Sequence, residues 1–181
     1  ETVTCASGET LRVEALQDVY NLGLDFNNAH VQPTGENHYH GISELLADAY
    51  ATDEDLVHVG FAADGYLMYF SKSDAYASGY ALSAEARSGT NCVGSGALRG
   101  ADVAIDGTTP DGTYTSDWEW SDANGDLDEC NGVEIDGEYA YVITDAYPYV
   151  GRCLNGEFTA RGPGAGGAPP GAGGPPPGGP P

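Results

Sequence analysis

A chain of 181 residues with 28 acidic and six basic side chains carries a net charge of −22, which all but excludes nucleic acid and anionic membranes, since both need clustered lysine and arginine. Its 27 glycines, twelve tyrosines and single methionine are turn-rich and tyrosine-rich, and predict an all-β fold, sandwich or barrel-like and mostly antiparallel, with one or two short helices. No apolar run reaches the roughly 18 residues of a membrane span, so a transmembrane helix is not expected.

In chain order, strands are predicted at 10–15, 29–32 and 37–41. Ser43 can then cap a short helix over 44–50, in which Leu45, Leu46 and Ala49 share one face. Two hairpins follow from their turns. Asp64-Gly65 separates 57–61 from 66–70, and Asp136-Gly137 separates 133–135 from 138–143; these are two of seven Asp-Gly or Asn-Gly pairs in the chain. Further strands are expected at 101–105 and 113–118. Residues 83–100 read as a long loop pinned by Cys92, and 126–130 as a second helical turn. Residues 1–160 form the predicted β-rich domain.

Residues 162–181 hold only glycine, proline and alanine, nine, eight and three of them. The glycines do not recur every third residue, which argues against a collagen helix, and such a segment buries no core. The 161–181 tail is therefore expected to be extended and to become ordered only against a neighbouring subunit or a glycan coat. Its prolines, Pro163, Pro169, Pro170, Pro175, Pro176, Pro177, Pro180 and Pro181, are the candidate assembly and glycosylation positions.

The chain opens as a processed mature protein would, on Glu1-Thr2-Val3-Thr4-Cys5. Cys5, Cys92, Cys130 and Cys153 are widely spaced with no C-x-x-C pair, which points to two disulfides in an oxidising compartment. Three pairings are open, and Cys130–Cys153 with Cys5–Cys92 is favoured. The expected location is extracellular or at the cell surface.

Four blocks of sequence carry a resemblance. They are Asn37-His38-Tyr39-His40-Gly41, Val59-Gly60-Phe61-Ala62-Ala63-Asp64-Gly65, Leu127-Asp128-Glu129-Cys130-Asn131-Gly132 and Tyr147-Pro148-Tyr149-Val150-Gly151-Arg152-Cys153. In this order the chain resembles the YHYH-domain proteins, a family of mostly secreted proteins, over roughly residues 30 to 155. The leading tyrosine of the family's name-giving motif is Asn37 here; the histidine pair is intact. The resemblance implies a β-rich fold and a disulfide between Cys130 and Cys153, and carries no settled activity.

Two constellations suit a metal. His38 and His40, at i and i+2 of a strand, project from the same face. With His58 from a neighbouring strand they make a candidate zinc or copper site, for which Asp64 is the candidate general base. The plainer reading is that the pair bonds backbone or carboxylate groups and braces loops. In the second, the oxygens of Asp122, Asn124, Asp126 and Asp128 alternate as a calcium loop's do, with Asp117 and Glu119 in reserve. Its glycine stands fourth rather than sixth and Val133 replaces the closing glutamate, so it is not an EF-hand.

No serine-hydrolase elbow and no phosphate-cradling glycine loop is present. Trp118, Trp120, Tyr139 and Tyr141 can stack on sugars, although cross-strand packing is the commoner use of such rings. The expectation that unites these features is a secreted structural subunit of an extracellular filament. Copies of the chain would assemble helically through a tail that carries the candidate glycosylation positions, with calcium rigidifying the acidic loop. The alternatives are a metal-dependent enzyme built on the histidines and a carbohydrate-binding or adhesion module.

Overall fold

The computed structural model describes residues 1–32, 34–50, 55–73 and 75–159. The tail, with the eight prolines named above, lies outside the described residues. The fold is mostly β, as expected, and its strands are short and divided among four sheets.

The first sheet joins β1 (Thr2–Thr4), β2 (Thr10–Arg12), β8 (Cys92–Gly94) and β9 (Asp102–Val103) in the antiparallel order β2-β1-β8-β9. Alternation along β1 and β2 turns Val3 and Leu11 inward, directly opposite each other. They pack with Val13, Ile105 and Tyr114 around the Cys5–Cys92 disulfide. The second sheet has the order β11-β12-β6-β5, from β5 (Leu56–Phe61), β6 (Leu67–Ser71), β11 (Gly132–Ile135) and β12 (Glu138–Ile143). Both predicted hairpins are here. Asp136 and Gly137 take φ values of 54° and 85°, the doubly left-handed pair of a tight two-residue turn.

The two hairpins meet through a parallel pairing of β12 with β6. Central β12 is buried throughout Ala140–Ile143, as a strand covered on both faces should be. A smaller core of Ile42, Phe70 and Ile143 lies on this sheet beside the short helix α1 (Glu44–Ala49), whose first turn is capped by the Ser43 hydroxyl accepting from the Leu46 N–H. Two antiparallel ribbons complete the fold: β3 (Ala29–Val31) with β4 (Asn37–Tyr39), and β7 (Tyr80–Leu82) with β10 (Trp118–Trp120).

Three expectations differ from the structure. The 83–100 loop contains β8, because Cys92 is drawn to Cys5 and the strand pairs with β1. The 113–118 strand is interrupted by a 3-10 turn at Thr115–Asp117, since the Asp117 carboxylate accepts the N–H groups of Gly112 and Tyr114, both at 3.1 Å, and curls the chain around itself. The expected helical turn at 126–130 is a reverse turn instead. There Asp128 Oδ1 accepts from Cys130 and Gly132 N–H, and Asn131 adopts a left-handed φ of 61°.

Both disulfides pair as favoured, Cys5 with Cys92 and Cys130 with Cys153. Closing loops with sequence separations of 87 and 23 residues removes denatured-state entropy worth about 4–5 and about 3 kcal/mol on the chain-entropy account.

A polar cluster lies beside the first core. Arg87 Nε and Nη2 donate to the two Asp117 oxygens at 2.7 and 2.5 Å, and Nη2 also reaches Asp111 at 2.6 Å. Its guanidinium lies 5.0 Å from the centre of the Tyr114 ring. The Asp117 side chain is 1% exposed and that of Asp111 is 55% exposed. Asp117→Ala should therefore strand a buried cation and lower stability by about 3–5 kcal/mol. Asp111→Ala should cost about 0–1 kcal/mol. Urea unfolding of the two variants measures the contrast, and equal losses would contradict it.

Candidate metal centre

The β3–β4 ribbon is a hairpin centred on Thr34. Its register sets His30 directly opposite His38 and Ala29 opposite Tyr39, and the His40 N–H continues the ladder to Asn28 O at 2.8 Å. Opposed residues share a sheet face, and so do residues two apart. His30, His38 and His40 therefore emerge together. Their rings stand edge to face with centroids 4.6–4.9 Å apart, and their ligating nitrogens all lie within 4.8 Å of one another.

The nitrogens that meet are the Nε2 atoms. His30 Nε2 is 3.2 Å from His38 Nε2 and 3.2 Å from His40 Nε2. His30 Nδ1 lies 2.8 Å from the Leu22 carbonyl oxygen. A carbonyl only accepts, so Nδ1 carries the proton and Nε2 presents a lone pair. Outer carbonyls of this kind orient metal-bound imidazoles. Burial first, and then the charges on His38, His30 and Arg152, pull the His40 pKa down to about 4. At neutral pH its ring is uncharged and free to ligate. His38 Nδ1 is buried with no hydrogen-bond partner.

The loop before β3 holds the hairpin in place. Asp25 Oδ1 accepts from the N–H groups of Asn27 and Ala29, and Asn28, at a left-handed φ of 59°, donates its side-chain amide to Ile42 O at 3.0 Å. Gly41 sits where a Cβ would lie 3.0 Å from the Leu16 side chain and 3.3 Å from that of Asn28. A side chain at this position would press on both neighbours by a few tenths of an ångström.

The triad forms part of the wall of a cleft of about 630 Å³, which Arg12, Glu14 and Arg152 also line. Glu14 is buried, accepts from the Ala15 N–H and forms an ion pair with Arg152 Nη2. The Arg152 guanidinium lies 5.0 Å from the centre of the Tyr147 ring.

Sequence reasoning therefore found two of the three converging histidines and assigned the wrong third. His58 lies on β5 against Phe61 and Tyr69, with ring centroids 5.2 and 5.6 Å away. His30 takes its place. Its signal was present in the sequence: His30 and His38 are symmetric about Thr34, and the sequence between them carries proline and glycine, the residues that favour turns. Asp64 is likewise engaged elsewhere, accepting from the Tyr141 hydroxyl at 2.6 Å and from the Gly156 N–H at 3.0 Å.

Among the described residues no other group of three or more histidine, cysteine, aspartate or glutamate side chains gathers as the triad does. The acidic loop uses its side chains to fasten itself down. Asp126 accepts from the Ala77 N–H, Asn124 donates to Gly79 O, and Asp128 accepts from the Tyr139 hydroxyl at 2.8 Å; Asp122 is exposed. The tryptophans also serve the fold: Trp118 stacks on Tyr147 at 4.6 Å, and Trp120 donates to Leu127 O.

Gly41→Ala should lower stability by about 1–3 kcal/mol through overpacking under the hairpin. Gly60→Ala, whose Cβ would meet nothing within 4 Å, should change it by no more than about 0.5 kcal/mol. Thermal unfolding of the two variants makes the comparison.

No curated protein and no solved structure matches the chain. A family model described as YHYH protein matches residues 1–156. With the histidine hairpin inside that span, the chain belongs to the YHYH family.

Proposed function

We propose that this domain is a secreted module that binds one transition-metal ion, zinc or copper, through the Nε2 atoms of His30, His38 and His40. One observation carries the reading: two imidazole nitrogens approach His30 Nε2 at 3.2 Å each, yet that atom offers one in-plane lone pair. Hydrogen bonds satisfy the arrangement poorly, whereas a cation at its centre satisfies all three nitrogens. Zinc–imidazole bonds of about 2.0–2.1 Å at tetrahedral angles place ligand nitrogens about 3.3–3.4 Å apart, close to the two distances from His30 Nε2. Three protein ligands leave a fourth position for water or another ligand, and all three histidines line the cleft. The two disulfides suit an oxidising, extracellular setting.

Dialysed protein should retain about one zinc or copper per chain, measured by elemental analysis, and copper should bind more tightly than zinc. His30→Ala should weaken binding by about 100-fold or more, beyond the about 10–100-fold typical of losing an outer-shell partner. His58→Ala should leave binding unchanged. Equal losses in the two variants, or no metal at all, would sink the reading.

A second reading, that copies of the chain assemble into an extracellular filament, draws on a separate surface. An apolar groove of about 650 Å³ runs between α1 and β5, with Tyr39, Leu45 and Phe61 on its walls, and these three side chains are 53%, 58% and 67% exposed. We assign it to a second copy of this chain. A surface of net charge −22 opposes such packing until cations neutralise it, a role for calcium at the acidic loop. Electron microscopy and sedimentation should then find assemblies that calcium promotes and that chelation or Phe61→Glu disperses. A monomer under all of these conditions would refute it.

A further inference from the structure

The cleft beside the triad is unusual in its charge. The chain has six basic side chains against 28 acidic ones, yet two of the six, Arg12 and Arg152, line this one cleft. Arg87, by contrast, is committed to Asp117 and Asp111. Arg152 is fixed in place by its ion pair with buried Glu14 and by the Tyr147 face, and its side chain remains 34% exposed. Arg12 is exposed.

A metal site of three neutral imidazoles leaves the ion's full double charge uncompensated. Carboxylates would be the ordinary remedy, but the two that line this cleft are already engaged, Glu1 by the Ala97 N–H and Glu14 by the Arg152 guanidinium. Cation beside cation is costly in a partly desolvated cleft unless an anion is shared between them. One Arg152 nitrogen is taken by Glu14, and its remaining N–H groups are available to a planar two-oxygen acceptor. Glu1 and Glu14 in the same wall penalise a dianion more than a monoanion.

Resting on the metal reading above, we infer that the cleft binds a carboxylate-bearing ligand. One carboxylate oxygen takes the metal's open position and the other accepts from Arg152, with Arg12 adding attraction at the mouth. The ligand class is a monoanionic organic acid or an acidic group on a larger molecule, and a cleft of about 630 Å³ has room for the body that carries it.

The test uses the full chain loaded with cobalt(II), whose visible absorption reports ligands at the metal. Benzoate is the probe, benzamide its neutral counterpart of the same shape, and inorganic phosphate the dianionic competitor. Benzoate should change the cobalt spectrum saturably and should not bind the metal-free protein; benzamide should do neither, and phosphate should bind more weakly. Arg152→Met alone would strand Glu14, so the paired variant Glu14→Gln/Arg152→Met is used. It should keep its cobalt affinity and lose about tenfold or more in benzoate affinity, the scale of a charge-assisted hydrogen bond. Arg152→Lys should recover part of that loss. Failure to load cobalt would sink the metal reading and this inference together. Loading with no response to benzoate, an equal response to benzamide, tighter phosphate binding, or an undiminished response in the paired variant would overturn this inference alone.

Discussion

The buried pair of Arg87 and Asp117 is the constraint on which most of the first core leans. Asp117 gathers four donors, two from the guanidinium and the N–H groups of Gly112 and Tyr114. That set curls the chain into the 3-10 turn and seats the Tyr114 ring under the guanidinium. The Tyr114 hydroxyl meets that of Tyr20 at 3.3 Å, and Gln17 ties down the Tyr20 backbone on both sides. Two residues further on, Leu22 packs on the same core and offers its carbonyl to His30 Nδ1. A continuous path of hydrogen bonds and packing thus runs from a polar cluster to the ring that organises the histidines.

Strands of two to six residues cannot each bury much surface, and the apolar side chains divide between two clusters. Cross-links take over part of the work that one large core would do. The Cys5–Cys92 bridge joins the residue after β1 to the start of β8, and the Cys130–Cys153 bridge fastens the chain after β12 to the turn before β11. The same turn holds fully buried Asn131, whose amide donates to Val142 O and Thr144 Oγ1. Polar side chains replace apolar bulk at several such joints. An acidic surface is compatible with this design because the buried cation, Arg87, is neutralised within the fold by Asp117.

Hairpins were legible wherever a turn dipeptide stood between two alternating runs, as at Asp64-Gly65 and Asp136-Gly137, since the positive φ needed there is a local demand. Ser43 as a helix cap was legible for the same reason. Strand β8 was not: Cys92-Val93-Gly94 has little strand character by itself and exists because β1 and Cys5 are beside it. The acidic loop shows the reverse case, a clear local pattern whose partners include residues far off in the chain. Its carboxylates alternate as calcium ligands do, yet three of its side chains anchor the loop to Ala77, Gly79, Cys130, Gly132 and Tyr139, partners that no local pattern reveals.

The histidine pair shows the division most clearly. Sequence alone determined that His38 and His40 project from one face, because the period of a strand is two. It also determined the acidic balance, the cysteine count and the membership of the family. Which third group meets the pair was decided by tertiary structure, because hairpin register is a pairing between strands. His30 and His58 both stand on strands that could neighbour β4, and only the turn centred on Thr34 selects between them. The guanidinium of Arg152, more than a hundred residues away in the chain, reaches the same cleft through its ion pair with Glu14. The chemistry of the cleft is thus a property of the fold, which brings a histidine hairpin together with Glu14 and Arg152, residues whose spacing in sequence carries no sign of their meeting.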